Sequence, residues 1–323
     1  MLTALDHIIS GVSDLEQATI TFNEMLGLQA SGGGRHPTSG TANRIIVIGD
    51  TYIELITIRD AAEAQQSMRE RLSKGDGYLN FVLASNDLET DSAAIKSRGV
   101  SIIGPTAGKL TSADGRSRGW LRTDIERPDL TQHYPFLIQH DSIGEERRKR
   151  LAGWTSPPPH PLGAVKVLST TIAVADLKEA TQRFQHIYGL QPSSPFTGEA
   201  DEWEAMLVAF PLNTSSQSFE LAEPLPLASN EAPDTELLSQ PGGLAHYLQT
   251  FGESLCRITL AVEDLATARR YLDEHGAIYT YSEPTEMHPH IVLWISPSSA
   301  CGASIVLHEL PAWDVIDNAP TPG

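Results

Sequence analysis

Four stretches of the chain share one pattern of apolar and polar positions. Each has a short apolar run, an acidic residue followed by leucine, and then apolar residues at helical spacing; the pairs are Asp14-Leu15, Asp87-Leu88, Asp176-Leu177 and Asp264-Leu265. β-Branched residues in a short run indicate a strand, and an aspartate can cap the following helix by accepting backbone N–H groups. A pattern that recurs along a chain at similar intervals predicts an internal structural repeat.

The first stretch predicts the order of elements within one repeat. After the strand around His7, the residues Leu15, Ala18, Phe22 and Leu26 recur at the spacing of one helix face. A glycine-rich loop follows, and two apolar runs, 44–48 and 52–58, are then separated by Gly-Asp, which is typical of a hairpin. The other three stretches follow the same order, and the second diverges most. We therefore predict an α+β fold of four βαβββ modules in two pairs.

The segment between the two pairs is typical of a linker. It contains a run of charged residues and then three consecutive prolines, which favour an extended connection. We predict an N-terminal domain at 1–145, a linker at 146–165, a C-terminal domain at 166–312 and a tail at 313–323. Within these bounds we expect Arg147–Arg150 to form a solvated helix face, His160 to serve the linker structurally, and 224–252 to be a long loop.

Composition excludes several classes of partner. The chain of 323 residues has 23 Lys and Arg against 41 Asp and Glu, a formal charge of −18. Such an acidic protein is repelled by phosphate backbones and anionic membrane surfaces. No apolar run approaches the roughly 20 residues that span a bilayer, and two cysteines are too few for a disulfide framework. We expect a cytoplasmic protein with a small-molecule substrate and no nucleic-acid or membrane partner, and a homodimer is left open.

Four βαβββ units in two pairs resemble the vicinal oxygen chelate superfamily. The segment 5–55, with LDHIISGVSDLEQA at its start and YIEL at its end, is similar to the members described as glyoxalase-like. The resemblance implies that each pair of modules forms one half-barrel domain around a cup. It also implies that a divalent metal ion sits in the cup, held by residues from the first and last strands of the modules.

The resemblance assigns ligand positions residue by residue. In the first half these are His7, Glu54, Asn80 and Gln139, which offer an imidazole, a carboxylate and two amide oxygens to a divalent ion such as Zn, Ni, Mn, Mg or Fe. In the second half they are Ser169, Glu220, Arg257 and Val306, with His308 or Glu309 in a shifted register. Because an arginine is itself a cation and repels a metal ion, we expect the second half to be a degenerate copy with a structural or substrate-covering role.

The glycine-rich loop supplies further candidates. Arg35 is suited to clamp a substrate carboxylate, and His36 is suited to transfer a proton near neutral pH. Thr41 and Asn43, with Arg122 from the second module, complete the predicted substrate-binding set. The loop is not a phosphate-binding P-loop, because the GK[ST] ending is missing.

The function predicted from these residues is a metal-dependent lyase or isomerase. It would act on a small oxygenated carboxylate or phenolic molecule through an enolate-like intermediate, with Glu54 or His36 moving the proton. One alternative is an extradiol dioxygenase with Fe(II), which needs two histidines and one carboxylate and so requires His140 or His308 as a ligand. A second alternative is a protein that binds a small molecule without metal.

Overall fold

The structure is a computed structural model that describes residues 1–36, 39–112, 115–126, 134–197, 205–213, 215–225, 243–282 and 291–310. The predicted tail, 313–323, lies outside the described residues, as do positions 37 and 38 of the glycine-rich loop. Both predicted pairs of modules can be followed in the remaining ranges. The fold can therefore be compared with the sequence pattern module by module.

The first half of the chain contributes eight strands: β1 (Leu2–Gly11), β2 (Ser31–Arg35), β3 (Thr41–Ile48), β4 (Thr51–Ile58), β5 (Gly77–Ser85), β6 (Ile102–Thr111), β7 (Ser117–Ile125) and β8 (Phe136–His140). They form one sheet in the order β2-β3-β4-β1-β5-β8-β7-β6. β1 and β5 are antiparallel at its centre, and each runs parallel to the closing strand of its own module.

The second half repeats this arrangement with β9 (Ala164–Ala173), β10 (Phe196–Thr197), β11 (Ala205–Pro211), β12 (Ser218–Pro224), β13 (Ser254–Val262), β14 (Tyr279–Ser282), β15 (Val292–Ile295) and β16 (Ser304–Glu309). Its order is β10-β11-β12-β9-β13-β16-β15-β14. Each sheet curls into a half-barrel. The predicted α+β fold of four βαβββ modules is confirmed.

Seven helices lie in the described ranges: α1 (Leu15–Ile20), α2 (Gln66–Leu72), α3 (Leu88–Ser97), α4 (Gly144–Ala152), α5 (Leu177–Tyr188), α6 (Leu244–Phe251) and α7 (Leu265–Glu274). The four that follow the first strand of a module begin after the predicted aspartates, whose side chains accept backbone N–H groups of the first turn. α1 continues as a single π-helical turn, Thr21–Met25. None of the described helices combines the length and the apolar character needed to cross a bilayer.

One hydrophobic core joins both halves of the chain. Residues of both sheets and of the helices between them belong to a single buried cluster. Phe81 and Phe219, one from each half, have ring centroids 5.8 Å apart. Gln217 of the second half is buried, accepts the N–H of Leu5 and donates to the hydroxyl of Thr51. The face of each sheet that is turned away from this core forms a cup. We call them the first cup, which carries His7 and Glu54, and the second cup, which carries Ser169 and Glu220.

A helix covers part of each cup. In the first cup Leu151 of α4 packs against Ile45, Val47 and Tyr52. In the second cup Leu244 of α6 packs in an apolar cluster with residues of β9, β11, β13, β15 and β16. The prediction that 224–252 is a loop is wrong for 244–251, because the apolar side chains of α6 gain a packing surface that the sequence alone does not reveal.

Candidate functional site

His7 is fixed in the first cup by contacts on several sides. Its ring stacks on Tyr52 with centroids 4.5 Å apart and meets the Phe136 ring nearly edge-on at 6.0 Å. Its Nδ1 lies 2.7 Å from Oδ1 of Asp6. Only 4% of His7 is exposed. The packing therefore holds the imidazole in one orientation, with Nε2 on the side of Glu54.

Asp6 is a buried carboxylate that holds His7 from behind. A register shift between Leu5 and His7 interrupts the regular alternation of β1, and the Asp6 carboxylate lies beside the His7 ring. Its Oδ2 is 2.8 Å from Nη2 of Arg147, and its Oδ1 is 3.3 Å from Nε2 of His140. Burial alone would raise the pKa of Asp6, but Arg147, His140 and the hydrogen bonds from His140 and His7 hold it well below its usual range.

An ionised carboxylate can only accept hydrogen bonds. His7 therefore carries a proton on Nδ1 and donates it to Asp6, which leaves Nε2 as the atom that faces the cup. A carboxylate behind an imidazole in this way fixes its tautomer and its ring orientation, an arrangement common in histidines that bind metal ions.

Glu54 lies opposite His7 and is contacted from two elements. Its Oε2 is 3.8 Å from Nε2 of His7, and its Oε1 is 3.8 Å from Nε2 of His36. Asn43 on β3 donates from Nδ2 to Oε1 of the same carboxylate. The structure thus brings together His7, His36, Asn43 and Glu54, all of which the sequence singled out.

His36 is positioned by a residue of the next strand. Its Nδ1 is 2.7 Å from the hydroxyl of Thr41, which also contacts the hydroxyl of Ser39. The His36 side chain is 24% exposed, compared with 5% for His7 and 11% for Glu54. His36 is therefore the titratable group of this cluster with the greatest access to solvent.

The predicted role of Gln139 as a metal ligand is wrong. Its Oε1 accepts the backbone N–H of Leu88 at the start of α3, on the core side of the sheet. Its neighbour Leu137 belongs to the main core, whereas Phe136 and Ile138 pack in the cup. Because side chains of a strand alternate between faces, His140 lies on the cup side, where it contacts Asp6 and not Glu54.

Asn80 does not converge with His7 and Glu54 through its polar atoms. Its Nδ2 donates to the carbonyl of Tyr134, and its Oδ1 accepts the N–H of Phe81. Both hydrogen-bonding groups of the amide are used by neighbouring backbone. The expectation that Asn80 adds a metal ligand is therefore not met in this arrangement.

The predicted substrate-binding residues divide into three cases. Arg35 pairs in register with Ala42, on the face opposite Asn43, so the structure does not bring the predicted carboxylate clamp to the cluster of His7 and Glu54. Thr41 and Asn43 are buried and bind His36 and Glu54. Arg122 lies in the cup, with its guanidinium 3.7 Å from the centre of the Phe136 ring and its side chain 41% exposed.

The sequence from 5 to 188 matches the model of the family described as glyoxalase-like domain, which is more than half of the chain. The chain belongs to this family. A hypothetical protein from Staphylococcus aureus has a similar structure, with 13% identity and a TM-score of 0.62 over 96% of this chain and 100% of that chain. A variant of 4-hydroxymandelate synthase from Streptomyces coelicolor has 11% identity and a TM-score of 0.63, over 95% and 93%.

No curated protein matches the glyoxalase-like chain by sequence. At such low identities the two structures show a shared fold and nothing about activity. Together with the family match, that fold confirms the predicted membership of the vicinal oxygen chelate superfamily.

Whether the glyoxalase-like site suits a metal ion depends on its donor set. Among the residues that the structure describes, no three His, Cys, Asp or Glu side chains already surround a common point as ligands. His7 and Glu54 nevertheless present a nitrogen and an oxygen 3.8 Å apart, and a zinc ion lies about 2.0–2.2 Å from each such donor. The tautomer imposed by Asp6 leaves Nε2 of His7 available. These two residues fit a divalent metal, and His36, with Nε2 3.8 Å from the other oxygen of Glu54, is a further donor beside the same carboxylate.

In the second cup the four predicted positions lie on the predicted strands. Glu220 pairs across β9 with Thr171, and Arg257 pairs with the same residue from the other side. Nη2 of Arg257 is 3.3 Å from Oε2 of Glu220. A guanidinium therefore lies beside the carboxylate in the second cup, as an imidazole does in the first.

Three residues of the first cup were missed by reasoning from sequence: Asp6, His140 in its actual role, and Arg147. Arg147 was predicted to lie on a solvated face, but it spans from α4 to Asp6 with a side chain only 11% exposed. The signal for Asp6 was its position next to His7. In a strand with regular alternation, Asp6 would lie on the face opposite His7.

Proposed function

We propose that the first cup is the active site of a metal-dependent lyase or isomerase. Its substrate would be a small oxygenated carboxylate or phenol, and the reaction would pass through an enolate-like intermediate. The observation that carries this proposal is the line Asp6–His7–Glu54, in which a buried carboxylate orients an imidazole toward a second carboxylate. Arg147 compensates the charge of Asp6, and a metal ion bound between His7 and Glu54 would compensate that of Glu54.

His7 and Glu54 are the residues that would hold the metal. A divalent ion bound there would act as a Lewis acid on substrate oxygens. A donor set with imidazole favours Zn, Ni or Fe over Mn and Mg. Asp6 keeps His7 in the tautomer that presents Nε2, and Asn43 fixes one oxygen of Glu54 by hydrogen bonding. Tyr52 and Phe136 restrict the His7 ring and exclude water from two of its sides.

His36 is the residue proposed to move the proton. A general base needs access to the substrate and a proton-transfer atom directed at the reacting centre. His36 is more exposed than His7 and Glu54. The Thr41 hydroxyl holds its Nδ1, so that Nε2 faces the cluster. Arg122, on the far wall of the cup, already donates from Nε and Nη2 to the two oxygens of Asp124, so it would bind a substrate carboxylate in exchange for Asp124 or through Nη1.

A second candidate, a dioxygenase with Fe(II), has one observation in its favour. His36 and His7 both direct Nε2 at Glu54, which gives two histidines and one carboxylate. That set is typical of non-haem Fe(II) oxygenases. The second histidine expected from the sequence was His140 or His308, and neither of these contacts Glu54. In this candidate His36 is a ligand rather than a base.

Replacing His36 by Gln separates the two candidates. For a lyase or isomerase, His36→Gln should keep the metal content and lower by about 10²–10⁴-fold the exchange of the acidic C–H of small keto acids in D2O, followed by NMR. For a dioxygenase the same variant should lose iron and oxygen uptake with catechols. His246→Gln, an exposed histidine on α6, is the matched control. Unchanged metal content and unchanged activity in His36→Gln would rule out both roles.

A further inference from the structure

We propose that the second cup is a separate, metal-independent binding site for a small uncharged molecule that carries several hydroxyl groups. The cup contains a cavity of about 370 Å³ bordered by Ser169, Ser218, Glu220, Arg257 and Thr259. That volume lies at the lower end of the range of about 300–1,000 Å³ found for small-molecule sites. The inference does not depend on the reaction proposed for the first cup.

A row of three hydroxyl groups crosses the floor of the cavity. Ser218 on β12 and Thr259 on β13 both pair in register with Ser169 on β9, so the three side chains share one face of the sheet. Ser169 is 5% exposed and Thr259 is 7% exposed. Within the described part of the chain, no protein group forms a hydrogen bond with any of the three hydroxyls. Nearly buried hydroxyls of this kind are normally satisfied by water or by a ligand.

Next to this row lies the ion pair between Arg257 and Glu220, whose own net charge is zero, and His308 also borders the cavity. Nε of Arg257 donates to the hydroxyl of Thr171, and that hydroxyl donates to Oε2 of Glu220. Nη2 of Arg257 also donates to Oε2. Within the described residues Oε1 of Glu220 has no hydrogen-bond partner, although the side chain is only 15% exposed. The cavity thus offers an acceptor that can take a hydrogen bond from water or from a ligand.

The zero net charge of the Arg257–Glu220 pair favours an uncharged ligand. A carboxylate would add a second negative charge beside Glu220, and an ammonium group would add a second positive charge beside Arg257; both are costly at low exposure. A hydroxyl group of a neutral ligand can donate to Oε1 of Glu220 and accept from the serine and threonine hydroxyls of the floor. Leu207, Val292 and Val306 complete the wall and suit the carbon skeleton of such a molecule.

The test uses three hexoses that differ in charge and three other neutral polyols. D-Glucose, D-glucuronate, D-glucosamine, glycerol, xylitol and myo-inositol are added to the full chain after chelation, and saturation-transfer NMR and calorimetry measure binding. We expect at least one neutral compound to bind, and to bind more tightly than both charged hexoses. Thr259→Val and Ser169→Ala should each weaken that binding by about fivefold, since each removes one neutral hydrogen bond.

Thr170→Val is the matched control. Thr170 is adjacent to Ser169, fully buried on the opposite face of β9, and its hydroxyl also has no partner in the described structure. This variant should bind as the wild type does, and so should His7→Ala, which alters only the first cup. Binding of glucuronate or glucosamine in preference to every neutral compound would overturn the proposal. So would binding of none of the six, or an equal loss in Thr170→Val or His7→Ala.

Discussion

In the first cup an imidazole faces a glutamate, whereas in the second cup a guanidinium faces it. The pairing registers make the two sets equivalent by position: His7 and Ser169, Glu54 and Glu220, Asn80 and Arg257, Phe136 and Val306. Glu54 and Glu220 therefore occupy equivalent positions on equivalent strands but have different neighbours. An imidazole nitrogen beside the carboxylate suits a metal ion, while a permanent cation beside it repels one.

The residues behind these positions differ as well. Asp6 precedes His7 and is buried with Arg147, whereas Leu168 precedes Ser169 in the second cup. The helix that covers the first cup contributes a charged group to the site, and the helix that covers the second contributes apolar side chains. The comparison indicates that a buried charge network supports the first cup, and that the second cup depends on packing and hydroxyl groups.

Removing Arg147 should have the largest effect on folding. Arg147→Met leaves the Asp6 carboxylate buried without its cation, which costs about 3–5 kcal/mol in the free energy of unfolding, measured by urea denaturation. Arg148→Met on the same helix breaks an ion pair with Asp50, whose side chain is 69% exposed, and should cost no more than about 1 kcal/mol. Arg257→Met should cost less than Arg147→Met, since Glu220 borders an open cavity. An equal loss of unfolding free energy in all three variants would contradict the conclusion that a buried charge network supports the first cup.

Replacing Asp6 should weaken metal binding without removing a ligand. Asp6→Asn deprives His7 of the carboxylate that sets its tautomer, and such changes lower metal affinity by about 10–100-fold. Competition with a chromophoric chelator measures this on the folded variant. Asp50→Asn, an exposed aspartate paired with the same helix, should bind metal like the wild type. An unchanged affinity in Asp6→Asn would show that Asp6 serves stability alone.

A graft should make the second cup resemble the first. Ser169→His together with Arg257→Asn places a histidine opposite Glu220 and removes the cation. We expect a second divalent ion per chain, bound about 10–100-fold more weakly than the first because Leu168 offers no carboxylate behind the new histidine. Ser169→His alone, which keeps Arg257, should gain no ion. A gain in that single variant would show that Arg257 does not exclude the metal.

Acid should loosen the first cup through His160. Its Nδ1 accepts the N–H of Gln29 and its Nε2 donates to the carbonyl of Val47, so the linker is held to β3 by a neutral ring. Burial lowers the pKa of His160, opposed by the bond to Val47. This stabilisation is complete above about pH 6.5, the usual histidine value, and is lost as pH falls through the lower folded value.

The measurement is the urea midpoint between about pH 5 and about pH 8. His160→Gln should show a shallower fall on the acid side than the wild type, while His275→Gln, an exposed histidine on the other half, should follow the wild-type curve. A wild-type midpoint that rises toward acid would contradict the direction of the pKa shift. We expect this effect to be the smallest of the four.

The module order could be predicted because local signals agreed, and the four clustered residues His7, His36, Asn43 and Glu54 were all among the candidates. The aspartate caps fixed the helix starts, and Glu54 was the one charged residue in the apolar strand β4, so its face could be assigned. In β8 the run Phe136-Leu137-Ile138 is apolar on both faces. The alternation of apolar and polar residues therefore could not decide between Gln139 and His140.

The rest of the first cup depends on tertiary structure. The register shift that lets Asp6 lie beside His7 has no sequence signal, because regular alternation predicts the opposite face. A run of charges such as EERRKR is most often solvated, and only the position of α4 over the cup shows that Arg147 meets a buried carboxylate. The sequence likewise does not show what α6 packs against, because its apolar contact surface forms only when the strands of the second half assemble.

The most direct test of the central claim compares the two equivalent glutamates. Elemental mass spectrometry on the purified wild type, Glu54→Gln and Glu220→Gln counts divalent ions per chain while circular dichroism confirms folding. We predict about one ion per chain in the wild type, its loss in Glu54→Gln and its retention in Glu220→Gln. Loss in Glu220→Gln with retention in Glu54→Gln, or no metal in any of the three proteins after loading, would contradict the assignment of the metal to the first cup.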